Sequence, residues 1–199
     1  AGATTVTGSR SITTTGDAVS FATAVTLSGG TLTLDTTDAG AVPAGAAITF
    51  GGPLDGTTAG AEPLALTAGT GGDVTFTGAV GSGTRLGAVT VASARHVTAN
   101  ALTAASLAQT AGTGTTTLNG AVATDTAAGV ALTTGAVALN APLTTTGTGP
   151  VTVTTAGPFT LNGSIAADGA VTQNGAGATT VTGSRSITTT GAAVSFATA

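Results

Sequence analysis

A short piece of this chain keeps returning, and its spacing is the strongest constraint on the fold. The pattern apolar-x-Gly-x-apolar occurs as FTGAV at 76–80, LNGAV at 118–122 and LNGSI at 161–165, with the variant LNAPL at 139–143. Phe76, Leu118, Leu139 and Leu161 are spaced at about 21 residues per return, with one weaker return between the first two, and the series continues to Val181. Between returns lie pieces of three to six residues in which apolar residues alternate with Thr, such as Val89-Thr-Val91 and Val151-Thr-Val153. A strand so short cannot bury its apolar face alone. A chain that coils once per 20 to 22 residues can stack like strands on like at about 4.8 Å and share one interior. The period therefore predicts an all-β fold, a parallel β-helix or solenoid. An all-β sandwich also has short strands with frequent turns, but it gives no reason for the same piece to return in register.

A second, larger repeat contains the first. Residues 177–199 reproduce residues 2–24 at 22 of 23 positions, with Asp17 against Ala192 the single difference, at an offset of 175 residues. The chain thus reads as one complete unit, 2–176, and the start of the next identical one, 177–199. Eight coils in 175 residues would make a unit about 38 Å long at the usual strand spacing. The stretch 19–63 is less regular, and its Pro and Gly between Gly40 and Pro63 predict a loop that bulges from the stack.

Alternation sends Val, Leu, Ile and Phe inward and Thr outward. The core stack is expected at Phe76, Leu118, Leu139, Leu161 and Val181. Gly78, Gly120, Gly163 and Gly183 are expected at corners, where glycine adopts backbone angles that β-branched residues avoid. Each buried Val, Leu, Ile or Phe contributes roughly 1.5–3 kcal/mol. Composition fits: β-branched Val and Thr abound, and charged residues are 6% of the chain against about 25% in an ordinary domain. Lys, Cys, Trp and Tyr are absent, so disulfides and Lys-Asn isopeptide links cannot brace the coil. The four arginines (Arg10, Arg85, Arg95 and Arg185) form no basic stripe for a phosphate backbone, so nucleic acid is not an expected partner. No apolar run reaches the roughly 18 residues of a spanning helix, so no membrane insertion is expected.

Asn119, Asn140 and Asn162 occupy the same place in successive coils, where stacked amides form ladders. A sugar-binding row is the functional reading; a ladder that satisfies otherwise stranded polar groups is preferred. The Thr triplets at 13–15, 115–117, 144–146 and 188–190 suggest an ice- or surface-binding face, but they do not recur at one fixed place in the coil. Cross-strand Thr ladders explain them more simply. His96, the only histidine, has Arg95 beside it but no nucleophile or carboxylate at a diagnostic spacing. The carboxylates are dispersed, and the region from Asp35 to Glu62 is where a site would be sought. Gly71-Gly72-Asp73 is a fragment of a calcium repeat, and Gly112-x-Gly114 lacks the context of a phosphate loop. No catalytic, cofactor-binding or metal-binding residue is assigned, and no enzyme activity is expected.

In TLNGAV at 117–122, TLNGSI at 160–165 and TFTGAV at 75–80, the chain resembles the filamentous haemagglutinin-like bacterial exoproteins. The resemblance implies a long, repetitive, right-handed β-helical protein of the cell surface or extracellular space. The expected function is a structural segment of a filament or adhesin stalk. Its partners would be adjacent units or end-to-end copies of itself, bundled laterally in some cases, and other cell surfaces. A carbohydrate-binding or carbohydrate-active β-helix and a Thr-rich ice-binding solenoid are the alternatives. Neither end shows a polar cap, which leads to the expectation that the column continues.

Overall fold

The computed structural model describes residues 2–197 and contains 24 strands and no helix among them. All paired strands run parallel, and the chain winds as a β-solenoid of about nine coils, the last incomplete. Each coil crosses three faces. The first carries β1 (Thr4–Thr7), β4 (Val25–Ser28), β7 (Leu54–Gly56), a bridge at Val80 and the first half of β12 (Leu102–Gln109). It continues through β14 (Val122–Thr124), β17 (Leu143–Thr145), β20 (Ile165–Ala167) and β23 (Ile187–Thr189).

The second face stacks β2 (Arg10–Thr13), β5 (Leu32–Asp35), β8 (Leu64–Thr67), β10 (Leu86–Ser93) and the second half of β12. Above them come β15 (Val130–Thr134), β18 (Val151–Thr155), β21 (Val171–Asn174) and β24 (Val194–Phe196). The third face is one eight-stranded sheet. It contains β3 (Val19–Phe21), β6 (Ile48–Phe50), β9 (Val74–Phe76), β11 (Val97–Ala99), β13 (Thr115–Leu118), β16 (Ala136–Leu139), β19 (Phe159–Leu161) and β22 (Thr179–Val181).

Register on the third face aligns Phe21, Phe50, Phe76, Ala99, Leu118, Leu139, Leu161 and Val181 one above another. The steps between them run from 19 residues (Ala99 to Leu118) to 29 (Phe21 to Phe50). Variation in loop length is thus absorbed at the corners without breaking the stack. Three of these side chains are phenylalanines whose rings stack with centroids 5.3 and 5.4 Å apart, Phe21 on Phe50 and Phe50 on Phe76. That is slightly more than the interstrand distance, as an offset aromatic stack requires.

Two expectations are corrected. Threonine is not confined to the outside: Thr116, Thr124, Thr134, Thr145 and Thr155 are buried. Within the triplets 115–117 and 144–146 the period of two turns the middle residue inward; three of the five buried hydroxyls find a partner inside, while those of Thr124 and Thr155 have none. Thr116 donates to the Gln109 carboxamide, Thr145 to the Gly149 carbonyl, and Thr134 to the Gly114 carbonyl at 3.0 Å. The predicted bulge between Gly40 and Pro63 is two loops, 36–47 and 57–63, because β6 and β7 return to the stack between them.

The glycines differ as well. Gly183 has a φ of +70° and open space around it. Gly78, Gly120 and Gly163 do not have positive φ. A Cβ on any of them would lie about 2 Å from the backbone of the coil below: 2.2 Å from Gly52 C, 2.2 Å from Ala101 N and 2.1 Å from Ala141 O, respectively. At these three corners the requirement is close approach of coil to coil, not backbone angle.

The two copies of the 23-residue sequence occupy different faces. In the first copy Thr4–Thr7, Arg10–Thr13 and Val19–Phe21 lie on faces one, two and three. In the second, Thr179–Val181, Ile187–Thr189 and Val194–Phe196 lie on faces three, one and two. Thr198 and Ala199, the end of the second copy, lie outside the described residues.

Candidate functional site

The polar side chains the sequence singles out lie at the corners and on the outer faces, and their partners are mostly in neighbouring coils. Asn119, Asn140 and Asn162 follow Leu118, Leu139 and Leu161, so the core register brings their amides into line. Asn140 Nδ2 donates to Asn119 Oδ1 at 2.9 Å, and Asn162 Nδ2 donates to Asn140 Oδ1 at 2.8 Å. Asn100, which sequence reasoning passed over, stands one coil earlier, following Ala99 in the same stack, and its amide donates to the Thr77 carbonyl. Its signal was present but weak, because Ala99 replaces the large apolar residue that marks the other coils. The ladder leaves few of these amide groups directed at a ligand.

The region from Asp35 to Glu62 holds two loop anchors. Asp35 Oδ1 accepts from the Thr37 amide at 2.7 Å and the Thr37 hydroxyl at 2.6 Å, and Oδ2 accepts from the Ala39 amide at 3.2 Å. Together they hold the turn in which Asp38 and Ala39 take left-handed angles. Thr36, fully buried, closes the neck of the loop by accepting from the Ala46 amide and donating to its carbonyl, both at 2.9 Å. The loop also rests on the next coil, where Thr70 and Gly71 amides donate to Pro43 and Ala44 carbonyls.

Glu62 is 1% exposed and serves the second loop. It accepts from the Thr57 hydroxyl at 2.9 Å, the Thr58 amide at 3.1 Å and, across to the preceding coil, the Gly29 amide at 3.3 Å. Burial pushes its carboxyl upward, but these hydrogen bonds outweigh burial and hold it below the usual range. Asp35 follows the same pattern, with burial opposed by the Thr37 and Ala39 bonds.

Four further acids engage in a similar way. Asp73 receives a two-pronged bond from the Arg95 guanidinium at 2.8 and 2.7 Å, which lowers its carboxyl and raises the arginine. Asp55 accepts from the Gly83 and Thr84 amides at 2.8 and 3.2 Å. Asp168 accepts from the Thr190 hydroxyl of the coil above and the Thr148 amide of the coil below, and both bonds lower its carboxyl. Arg85 pairs with Asp125 two coils away, because β12 rounds the intervening corner as unbroken strand.

His96 Nδ1 accepts from the Thr115 amide of the following coil at 2.9 Å. That bond sets its tautomer, and its backbone amide donates to Asp73 Oδ1 at 3.2 Å, so the neighbouring carboxylate meets the main chain of His96. Among the described residues no three His, Asp or Glu side chains converge as metal ligands would, and no helix is long and apolar enough to cross a membrane. A surface hollow of about 570 Å³ runs past Gly112, Thr133, Thr154 and Gly175 along the second-to-third corner and is lined only by Gly, Thr and Ala. Its lining has no aromatic platform and no charge.

Comparison with known proteins finds no family model, curated protein or solved structure that the chain matches.

Proposed function

We propose that this chain is a structural segment of a long tandem-repeat β-solenoid, a spacer in an extracellular filament or adhesin stalk. One observation carries the reading: most of the side chains able to do chemistry join one coil to another, and Asp35 anchors its own loop. Asn140 binds Asn119, Arg95 binds Asp73, Glu62 reaches Gly29, Asp168 bridges Thr148 and Thr190, and His96 caps Thr115. A binding or catalytic surface would leave such groups convergent and free to meet a ligand. The 175-residue repeat favours the same reading, since an extending element gains length from each copy whereas a binding tip does not require copies. The resemblance of the turn motifs to the haemagglutinin-like exoproteins suggests the setting, the bacterial cell surface.

The test is length. Chains of one, two and three units would be compared by electron microscopy and small-angle scattering. Rods of constant width that lengthen by about 37 Å per unit support the proposal, the increment following from strand spacing. Compact particles, or beads on a flexible string, would refute it.

A further inference from the structure

We infer that the 23-residue sequence is a joint coil that sets each 175-residue unit onto the one before with a rotation of one third of a turn. The inference rests on the tandem reading above. From Thr4 on the first face of the first coil to Thr179 on the third face of the eighth, the chain makes seven and two-thirds turns. A whole number would return the second copy to the first face.

The two copies display the two sides of the same joint. In the first, Val6, Ile12, Val19 and Phe21 point inward beneath Leu27, Leu34, Ile48 and Phe50. In the second, their counterparts Val181, Ile187, Val194 and Phe196 stack on Leu161, Ile165, Val171 and Gln173. The same four side chains face the interior in both. Each copy is covered on one side only, which leaves Ile12 38%, Val181 50%, Val194 44% and Phe196 40% exposed. The hollows at the two ends, about 450 and 490 Å³, are the open ends of the core.

Overlaying the halves completes four columns: Leu161–Val–Leu27, Ile165–Ile–Leu34, Val171–Val–Ile48 and Gln173–Phe–Phe50. The following unit is therefore the occupant of the open end, and the first copy already shows how it sits. The arginine supports this arrangement. Arg10 lies in β2 level with the buried Leu32, and it escapes burial because no coil lies beneath it. Arg185, which does lie on a coil, has moved out of the strand into the corner beside the Ser186–Ser164 bond. A joint copy thus keeps its charge outside the column, as the cost of burying an unpaired guanidinium demands. In a tandem array the 36–47 loop then appears on each face in turn, and three units, 23 turns or about 110 Å, restore the first orientation.

Because the chain contains no cysteine, engineered disulfides test the phase directly in the 199-residue protein. Thr160 and Thr180 are register neighbours on the third face, at about 4.8 Å, within disulfide reach. In a whole-turn arrangement Thr180 would instead lie beside Ala166. The expected result is that T160C/T180C cross-links at least tenfold faster than A166C/T180C under mild oxidation, with the preference lost in denaturant. Preference for the second pair, equal rates, or no linking of either would overturn the inference. In a three-unit chain, image averaging should place the 36–47 loop at successive rotations of about a third of a turn; loops aligned on one face would overturn it too. If the disulfide preference holds but multi-unit chains are not rods, the tandem reading fails while the placement of the copy stands.

Discussion

Gly163 and Gly183 each stand two residues after an inward apolar residue, Leu161 and Val181, yet replacement by alanine should affect them by different mechanisms and to different extents. A Cβ at Gly163 would sit 2.1 Å from Ala141 O, 2.4 Å from its carbonyl carbon and 3.0 Å from its Cα. Real contacts of this kind need more than 3 Å, so the coils must part locally by about 1 Å. That separation stretches bonds now at 2.8 to 3.0 Å: Asn162 and Gly163 amides to the Leu139 carbonyl, and the Leu143 amide to the Ser164 carbonyl. It also pulls Asn162 from Asn140, now 2.8 Å apart. At about 1 kcal/mol for each bond weakened, Gly163→Ala should cost roughly 3–4 kcal/mol. Gly183→Ala meets open space and only the left-handed angle of +70° opposes it, which costs about 1–2 kcal/mol. With no Trp or Tyr as a fluorescent probe, the measurement is urea unfolding followed by far-UV circular dichroism, paired with hydrogen exchange of β16, β17, β19 and β20. Gly163→Ala should speed exchange in those strands while β5 and β8 stay protected, because strand pairing joins each coil to the adjacent ones and β5 and β8 lie several coils from Gly163. Equal stability of the two variants would refute the close-approach account of the corner.

Leu139→Ala empties a site packed between Leu118 and Leu161 and should cost about 3 kcal/mol or more, read by the same unfolding curves. Asn140→Ala removes both bonds of the middle ladder rung, but the released groups are at the surface and reach water, so a loss of about 1 kcal/mol or less is expected; a loss equal to that of Leu139→Ala would contradict the surface placement. Asp35, Glu62 and Asp73 all have carboxyls held below their ordinary values of 3.8, 4.5 and 3.8. Their stabilisation is therefore complete above those values and disappears as pH falls through the lowered folded ones. Stability measured against pH should decline below about 4, and Glu62→Gln should flatten that decline while lowering stability at neutral pH. A Glu62→Gln profile parallel to that of the parent protein would show that the carboxylate is not held in its charged form.

The coil, its approximate pitch and the inward series from Phe76 to Val181 were legible in the sequence because each depends on local alternation and on a return that composition cannot hide. The ladder positions were legible for the same reason: Asn119, Asn140 and Asn162 directly follow inward leucines, so the core register aligns them. The inward threonines, the reason for the corner glycines, the loop-anchoring work of Asp35 and Glu62 and the face on which a repeated sequence falls came only with the tertiary structure. These depend on how one coil rests on another. A 12-residue loop after β5, a strand that rounds a corner at β12 and a single residue between β15 and β16 each change the chain consumed per turn. Alternation is set within a strand and survives any such change. Rotational phase is the accumulated result of every corner, which is why identical residues at the two ends of this chain face different sides of the same column.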